Sequence, residues 1–238
     1  MRFSIIIPSR NTGNLTQCVR ALRDCGVTAR VIVIDDGIEW PIPWHSAPLW
    51  AMPGNKPFIF ARNVNIGIRA AGADDVLLLN DDCLLKTGLG FSVLGHVCER
   101  NPEYGALCPG FDPDGCSHLN LVGRRRVGIA DEPTTLIFAC CYIPRTTIDR
   151  VGLLDERFGI NAGGRGPRGY GLEDDDYSLR IRKAGLKLGV YDGAMVDHST
   201  LKSSFRHDPE HRHDVRAHEE LFRQIHGHWP EGHGYAPR

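Results

Sequence analysis

Short apolar runs alternate along the first third of the chain with segments of helical periodicity. Phe3–Ile7 is apolar and closed by Pro8, which predicts a buried strand. Leu15, Val19 and Leu22 then recur at helical spacing, and Gly26 ends that helix. Val31–Ile34 predicts a second buried strand, stopped by Asp35-Asp36-Gly37. The stretch 40–57 is rich in Pro and Trp and reads as a loop. Ala61–Ala71 puts Val64, Ile68 and Ala71 on one helical face, and Val76–Leu79 is a third strand. Repeated strand–helix–strand units of this kind imply an α/β domain whose mostly parallel central sheet is flanked by helices. Ligands of such sheets bind beyond the carboxyl ends of the strands. Pro8–Asn11, Asp35–Gly37 and Asn80–Asp82 all fall there.

The second half is less regular. It predicts a helix over Thr87–Arg100, a strongly apolar strand over Leu136–Ile143, a helix over Glu173–Ala184 and a strand over Leu186–Tyr191. Between Gly159 and Gly171 there are six glycines in thirteen residues, which cannot bury a core and read as a mobile loop that closes over a ligand. Val215, Leu221, Phe222 and Ile225 mark an amphipathic helix near the C-terminus. No internal repeat or linker divides the chain, so the expectation is one domain of two abutting halves, 1–100 and 101–200, followed by a helical, His-rich segment over 201–238.

Composition narrows the class. With 42% hydrophobic and 24% charged residues, the 238-residue chain is an ordinary globular protein. A net charge of −1 supplies no basic field for nucleic acid. No apolar run approaches the roughly 18 residues of a membrane span, and the start MRFSIIIPSR reads as a strand, so a cytoplasmic location is the expectation. The eight cysteines form no CxxC pair and read as small buried hydrophobes. His207, His211, His213 and their neighbours lie among Arg, Asp and Glu, which predicts a solvated surface for most of the C-terminal histidines.

Three acidic clusters change this picture: Asp35-Asp36, Asp81-Asp82 and Glu173–Asp176. Packing does not require paired carboxylates at a strand end, because they repel. Such pairs call for a cationic partner, either Arg or Lys or a metal ion.

Phe3–Asn11 (FSIIIPSRN), Val31–Gly37 (VIVIDDG), Ala61–Ile68 (ARNVNIGI) and Val76–Cys83 (VLLLNDDC) resemble, in order, the donor-binding half of family 2-like glycosyltransferases of the GT-A, Rossmann-like fold. Gly169–Arg180 (GYGLEDDDYSLR) resembles their acceptor side, and also the GWG-ED segment of galactosyl- and N-acetylgalactosaminyltransferases, with Tyr170 in place of Trp. The resemblance covers about residues 1–200 and implies a metal-dependent transfer of sugar from a nucleotide-diphospho-sugar, a UDP-sugar first, to a hydroxyl acceptor. That acceptor is a carbohydrate, a lipid-linked sugar, a peptide or a modified nucleobase. It also implies roles. Asp36, the backbone near Pro8 and Arg10 would line the base pocket, with Arg10 standing where many relatives carry Tyr. Arg62 would approach the base or diphosphate. Asp81 would touch the ribose, while Asp82, with His198, would hold Mn²⁺ or Mg²⁺. Asp174 would be the base of an inverting displacement and Glu173 would hold an acceptor hydroxyl. Asp176 and Arg180, at i and i+4, read as a structural pair.

Two other functions share parts of this pattern. Nucleotidyltransferases that make nucleotide sugars use the same kind of sheet, but they carry a Gly-rich loop with Lys after the first strand, where Ser9–Gly13 has one glycine and no lysine. A non-catalytic sugar- or nucleic-acid-binding module would leave the acidic clusters without a task. The sequence assigns no oligomeric state.

Overall fold

The structure is a computed structural model that describes residues 2–42, 48–56, 58–88, 90–111, 129–131, 135–159, 171–202 and 215–230. In chain order the elements are β1 (Phe3–Ser9), α1 (Thr12–Asp24), β2 (Arg30–Asp35), β3 (Leu49–Pro53), α2 (Phe60–Ala71), β4 (Asp75–Leu79) and β5 (Leu84–Leu85). They continue with α3 (Ser92–Arg100), β6 (Tyr104–Phe111), β7 (Ile129–Asp131), β8 (Cys140–Ile143), α4 (Arg145–Val151), α5 (Glu173–Lys183), β9 (Lys187–Asp197) and α6 (Val215–His226).

One nine-stranded sheet runs β3-β2-β1-β4-β8-β6-β9-β5, with β7 also paired to β9. The strands β3, β2, β1 and β4 are all parallel. Within this half β1, β2 and β4 are buried on both faces, which is why they read as continuous apolar runs. β8 is antiparallel to both β4 and β6, while β6 and β9 are parallel. The second half is therefore a mixed extension of the parallel half.

Helices α1 and α2 hold the parallel half by their apolar faces. Leu15, Val19 and Leu22 of α1 and Val64 and Ile68 of α2 are buried. Each such side chain is worth about 1.5–3 kcal/mol on burial. Asn11 caps α1, its side chain accepting from Asn14 N at 3.0 Å, so the helix starts immediately beyond β1. Gly67 of α2 lies directly on Ile6 of β1, and a Cβ there would collide with the Ile6 side chain.

Several strands depart from the sequence pattern. β3 lies inside the stretch read as a loop. It is an edge strand of partly and largely exposed residues, so it lacks the apolar signature. β5, β6 and β7 also carry no clear pattern, and β8 begins only at Cys140 because Leu136–Ala139 are not in the ladder. The last strand runs on past Tyr191 to Asp197. Its pairing with β6 jumps from Pro109↔Tyr191 to Gly110↔Met195, so Asp192, Gly193 and Ala194 form a bulge. Bulges bend a strand and re-aim the residues beyond them.

Two histidines of the C-terminal helix are exceptions to the solvated surface expected for most of them. His218 is buried, and the His226 ring packs on Phe222 at 4.4 Å between centroids. His226 Nε2 also stands 2.9 Å from Asp176 Oδ1. His226 is held inside by the buried Asp176 carboxylate and His218 by the Phe158 ring, which it meets edge-on at 6.3 Å. Asp176 meets Arg180 on its other oxygen at 2.8 Å, the expected i,i+4 pair. His207, His211, His213 and His233, and the glycine-rich loop over 160–170, lie outside the described residues. Among the described residues the cysteines are free thiols, and no helix is long and apolar enough to cross a membrane.

Candidate functional site

The carboxyl ends of β1, β2 and β4 lie side by side, and the acidic residues there divide into different jobs. Asp35 locks the turn after β2. Its Oδ1 accepts from Gly37 N and Ile38 N, both at 2.8 Å, and its Oδ2 from Trp40 Nε1 at 2.8 Å. Burial pushes this carboxyl up, but those hydrogen bonds outweigh it and hold it below the usual range. Asp36 is buried next to it, and its N–H donates to Ser9 O at 2.9 Å, stitching β2 to β1. Pro8 is paired with Ile34 one residue earlier.

Asn80-Asp81-Asp82-Cys83 turns immediately after β4, with Asn80 N donating to Ala139 O at 2.8 Å and Cys83 N to Asn80 O at 3.1 Å. Ser9 Oγ donates to Asp81 Oδ2 at 2.5 Å. Burial pushes the Asp81 carboxyl up to about 7. The Ser9 hydroxyl opposes that shift, the Asp82 charge adds to it, and Asn14 and Arg10 oppose it. Arg10 thus contributes positive charge to this cluster. Asn14 Nδ2 also donates to Lys202 O at 3.0 Å, which closes the chain beyond β9 over the same edge.

His198 arrives from the other end of the sequence. β5 directly follows Cys83 and pairs with the end of β9, Leu84 with Asp197 and Leu85 with Val196. Asp197 fixes the turn beyond. Its Oδ1 accepts from Ser199 N at 2.9 Å and Thr200 N at 3.0 Å, and its Oδ2 from Thr200 Oγ1 at 2.6 Å. Lys86 Nζ lies 3.0 Å from the same carboxylate. The His198 ring stands edge-on to Phe111 at 5.9 Å. Its Nε2 is 3.4 Å from Asp82 Oδ1, a buried oxygen that receives no hydrogen bond among the described residues. One carboxylate oxygen of Asp82, one ring nitrogen of His198 and the Cys83 sulfur lie within 4.8 Å of one another. An orphaned buried carboxylate oxygen beside an imidazole and a second carboxylate suits a divalent cation, so the residues present fit the implied ion. Cys83 is the member that sequence reasoning missed. Its only signal was its place directly after Asp82.

Glu173 and Asp174 open α5. The residue before them, Leu172, has φ +68°, a left-handed conformation costing about 1–2 kcal/mol outside glycine. Its side chain is held in a small apolar cluster with Phe158 and Phe222. Glu173 Oε2 accepts from Gly171 N at 2.6 Å; burial, then the Asp174 charge, push its carboxyl well up. Asp174 is less buried, and its Oδ1 accepts from Asp175 N at 3.1 Å. One turn on, Ser178 Oγ accepts from Leu136 N at 3.0 Å and Tyr177 stacks edge-on against Phe138 at 5.7 Å. The segment Leu136–Ala139 thus links the second turn of α5 to the carboxyl edge of β4, where the Ala139 carbonyl accepts from Asn80 N. Arg62 sits in the first turn of α2, its Nε 3.3 Å from Glu156 Oε2, and is engaged there instead of with the acidic cluster.

Comparison with known proteins finds no matching protein-family model and no matching curated protein. Solved structures do match. The crystal structure of GalNAc-T7 with UDP, GalNAc and Mn²⁺ superposes with a TM-score of 0.62 and 13% identity, covering 83% of this chain and 44% of that one. Residues 1–349 of S. aureus TarS superpose with a TM-score of 0.59 and 14% identity, covering 82% of this chain and 60% of that one. The chain therefore spans about half the length of the solved proteins it matches. At these identities the likeness is one of backbone architecture, and it establishes that the chain has the GT-A fold, a mixed central sheet flanked by helices.

Proposed function

We propose that the chain is a glycosyltransferase that moves a sugar from a nucleotide-diphospho-sugar, a UDP-sugar first, to a hydroxyl acceptor. The observation that carries this reading is the meeting of Asp82 and His198, 3.4 Å apart at the carboxyl edge of the sheet, where this fold binds ligands. The GalNAc-T7 structure, which shares this fold, holds UDP, GalNAc and Mn²⁺. That supports the choice of donor and of Mn²⁺ over Mg²⁺, as does an imidazole ligand.

In this reading Asp82 and His198 hold the ion, which would neutralise charge developing on the leaving nucleoside diphosphate. The backbone at Pro8, with Arg10 and Asp36, lines the base pocket. Asp81 meets the ribose, and Arg62, at the start of α2, meets the diphosphate once it leaves Glu156. Asp174 accepts the acceptor hydroxyl proton as the new C–O bond forms and the bond to the diphosphate breaks, a single inverting displacement. Glu173, buried and bonded to Gly171, orients the acceptor.

The test is UDP release from candidate UDP-sugars with and without EDTA, preceded by thermal-shift screening of UDP, GDP, dTDP and CDP with Mn²⁺. Metal-dependent UDP release, slow without acceptor, is the expected result. A chain stabilised by no nucleotide, or releasing UDP equally well in EDTA, overturns the reading.

A further inference from the structure

Cys83 has no task in the reaction just proposed, yet it is not placed like the other buried thiols. Like Cys83 itself, Cys18, Cys140 and Cys141 lie in the continuous hydrophobic core, but none of them shares mutual ligand distance with both a carboxylate and an imidazole among the described residues. Cys83 does. It is fully buried, its backbone is fixed by the bond to Asn80 O, and its sulfur lies within 4.8 Å of both an Asp82 oxygen and a His198 nitrogen. A second observation points to the same spot. Asp82 Oδ1 is buried and receives no hydrogen bond among the described residues, although the imidazole is 3.4 Å away. A buried acceptor of this kind costs free energy unless something positive meets it.

The three donor atoms are chemically unlike, and that decides which cation suits them. Hard Mg²⁺ gains nothing from sulfur. Zn²⁺ and Co²⁺ accept sulfur, nitrogen and oxygen together, and both rank above Mn²⁺ in intrinsic affinity. Around zinc, bonds of about 2.0–2.3 Å place tetrahedral ligand atoms roughly 3.3–3.8 Å apart. The present separations are within 4.8 Å, so side-chain rotations of about an ångström close the cage. All three ligands are already mounted, His198 by the Asp197 turn and Phe111, and Asp82 and Cys83 by the turn leading into β5.

We infer that Cys83, Asp82 and His198 form a mixed sulfur–oxygen–nitrogen site for a borderline-soft divalent cation of the zinc class, with a fourth position left open. On binding, the metal–sulfur bond forms and the thiol proton passes to solvent. The inference rests on the reading above, in that the same Asp82 and His198 serve the transfer reaction. Zinc would then displace Mn²⁺ from a site whose third ligand favours it.

The experiment is X-ray absorption at the zinc edge on the full chain loaded with one equivalent of Zn²⁺, with Co²⁺ absorption spectra as a second readout. The expected zinc shell has one sulfur at about 2.3 Å and nitrogen or oxygen at about 2.0–2.2 Å, and the Co²⁺ form shows a sulfur-to-cobalt charge-transfer band. Cys83→Ser removes both sulfur signals and lowers Zn²⁺ affinity at least about tenfold, the smallest loss typical even of groups that only support a ligand. A shell of nitrogen and oxygen alone in the parent chain overturns the proposal without any variant. So does a sulfur signal that survives Cys83→Ser or Asp82→Ala. A nitrogen–oxygen shell with Mn²⁺-dependent UDP release overturns the role of Cys83 alone. A zinc–sulfur shell with metal-independent UDP release overturns the transferase reading and upholds the site.

Discussion

His198 Nε2, just beyond the end of β9, stands 3.4 Å from Asp82 Oδ1, just beyond the end of β4, and the two-residue strand β5 holds them there by pairing with the last residues of β9. The pair provides the first test. In Asp82→Ala, Mn²⁺ no longer strengthens UDP binding, while the melting temperature of the ligand-free chain stays at or above that of the parent, because a buried carboxylate next to Asp81 has been removed. Isothermal titration with UDP, with and without Mn²⁺, reads this. Equal Mn²⁺ dependence in both proteins would place the ion elsewhere.

Asp174 is the proposed proton acceptor. Asp174→Asn keeps its shape and its place at the head of α5, but cannot take a proton. Donor and Mn²⁺ binding should be retained and sugar transfer should fall by about 10²-fold or more, the scale of general base catalysis. Steady-state transfer assays alongside UDP titration separate the two effects. Transfer at the parental rate would rule out this base.

Asp74 tests the fold away from the site and through pH. It is buried at the other edge of the parallel half, where it accepts from Ser4 Oγ at 2.7 Å and Arg30 at 2.8 Å, and from Arg2. Burial pushes its carboxyl up, but Ser4, Arg2 and Arg30 outweigh that and leave it below its ordinary 3.8. A depressed carboxyl stabilises the folded state above its unfolded value and loses that contribution as pH falls through the folded value. Asp74→Asn should therefore cost about 1.5–3 kcal/mol at pH 7, the range of hydrogen bonds to charged groups, and the difference from the parent should shrink below pH 3.8. Urea unfolding at a series of pH values measures it. A gap that stays constant down to about pH 2 would contradict the assignment.

Asp176 links α5 to α6 through Arg180 and His226. Asp176→Asn removes a buried carboxylate that the partly exposed Arg180 and His226 both meet, and losing hydrogen bonds to a charged group costs about 1.5–3 kcal/mol. Stability should fall by that order while UDP binding persists under native conditions. Chemical denaturation with a parallel UDP titration distinguishes this from a loss of function.

The parallel half was legible because β1, β2 and β4 are buried on both faces and α1 and α2 show their apolar stripes plainly. The strands that sequence reasoning missed have local reasons. Trp50 of β3 is half exposed on a sheet edge. β6 carries Gly105 and Gly110 because a Cβ at either would press on Ile181 or on the Met195 sulfur, and those glycines and Pro109 hide the strand. The strand expected over Leu186–Tyr191 continues through a bulge at Asp192–Ala194 to Asp197, and His198 follows it at the site. Among the site residues, Asp82 and His198 could be named by resemblance. The bond from Asp36 N to Ser9 O, the Ser9–Asp81 bond and the nearness of Cys83 to His198 could not, because each joins residues far apart in the chain. The buried α6 histidines were hidden for the same reason. Asp176, the partner of His226, is 50 residues away from it, and His218 packs on Phe158.

The β5–β9 pairing has a consequence for how the protein comes into being. Leu84 meets Asp197 only after everything between them has been synthesised, and such long-range pairings form late. A chain still on the ribosome that has completed β1 to β4 carries Asp81 and Asp82 without their imidazole. At the proposed metal site, tight cation capture would therefore be withheld from the nascent first half, and its onset would report the moment the last strand docks.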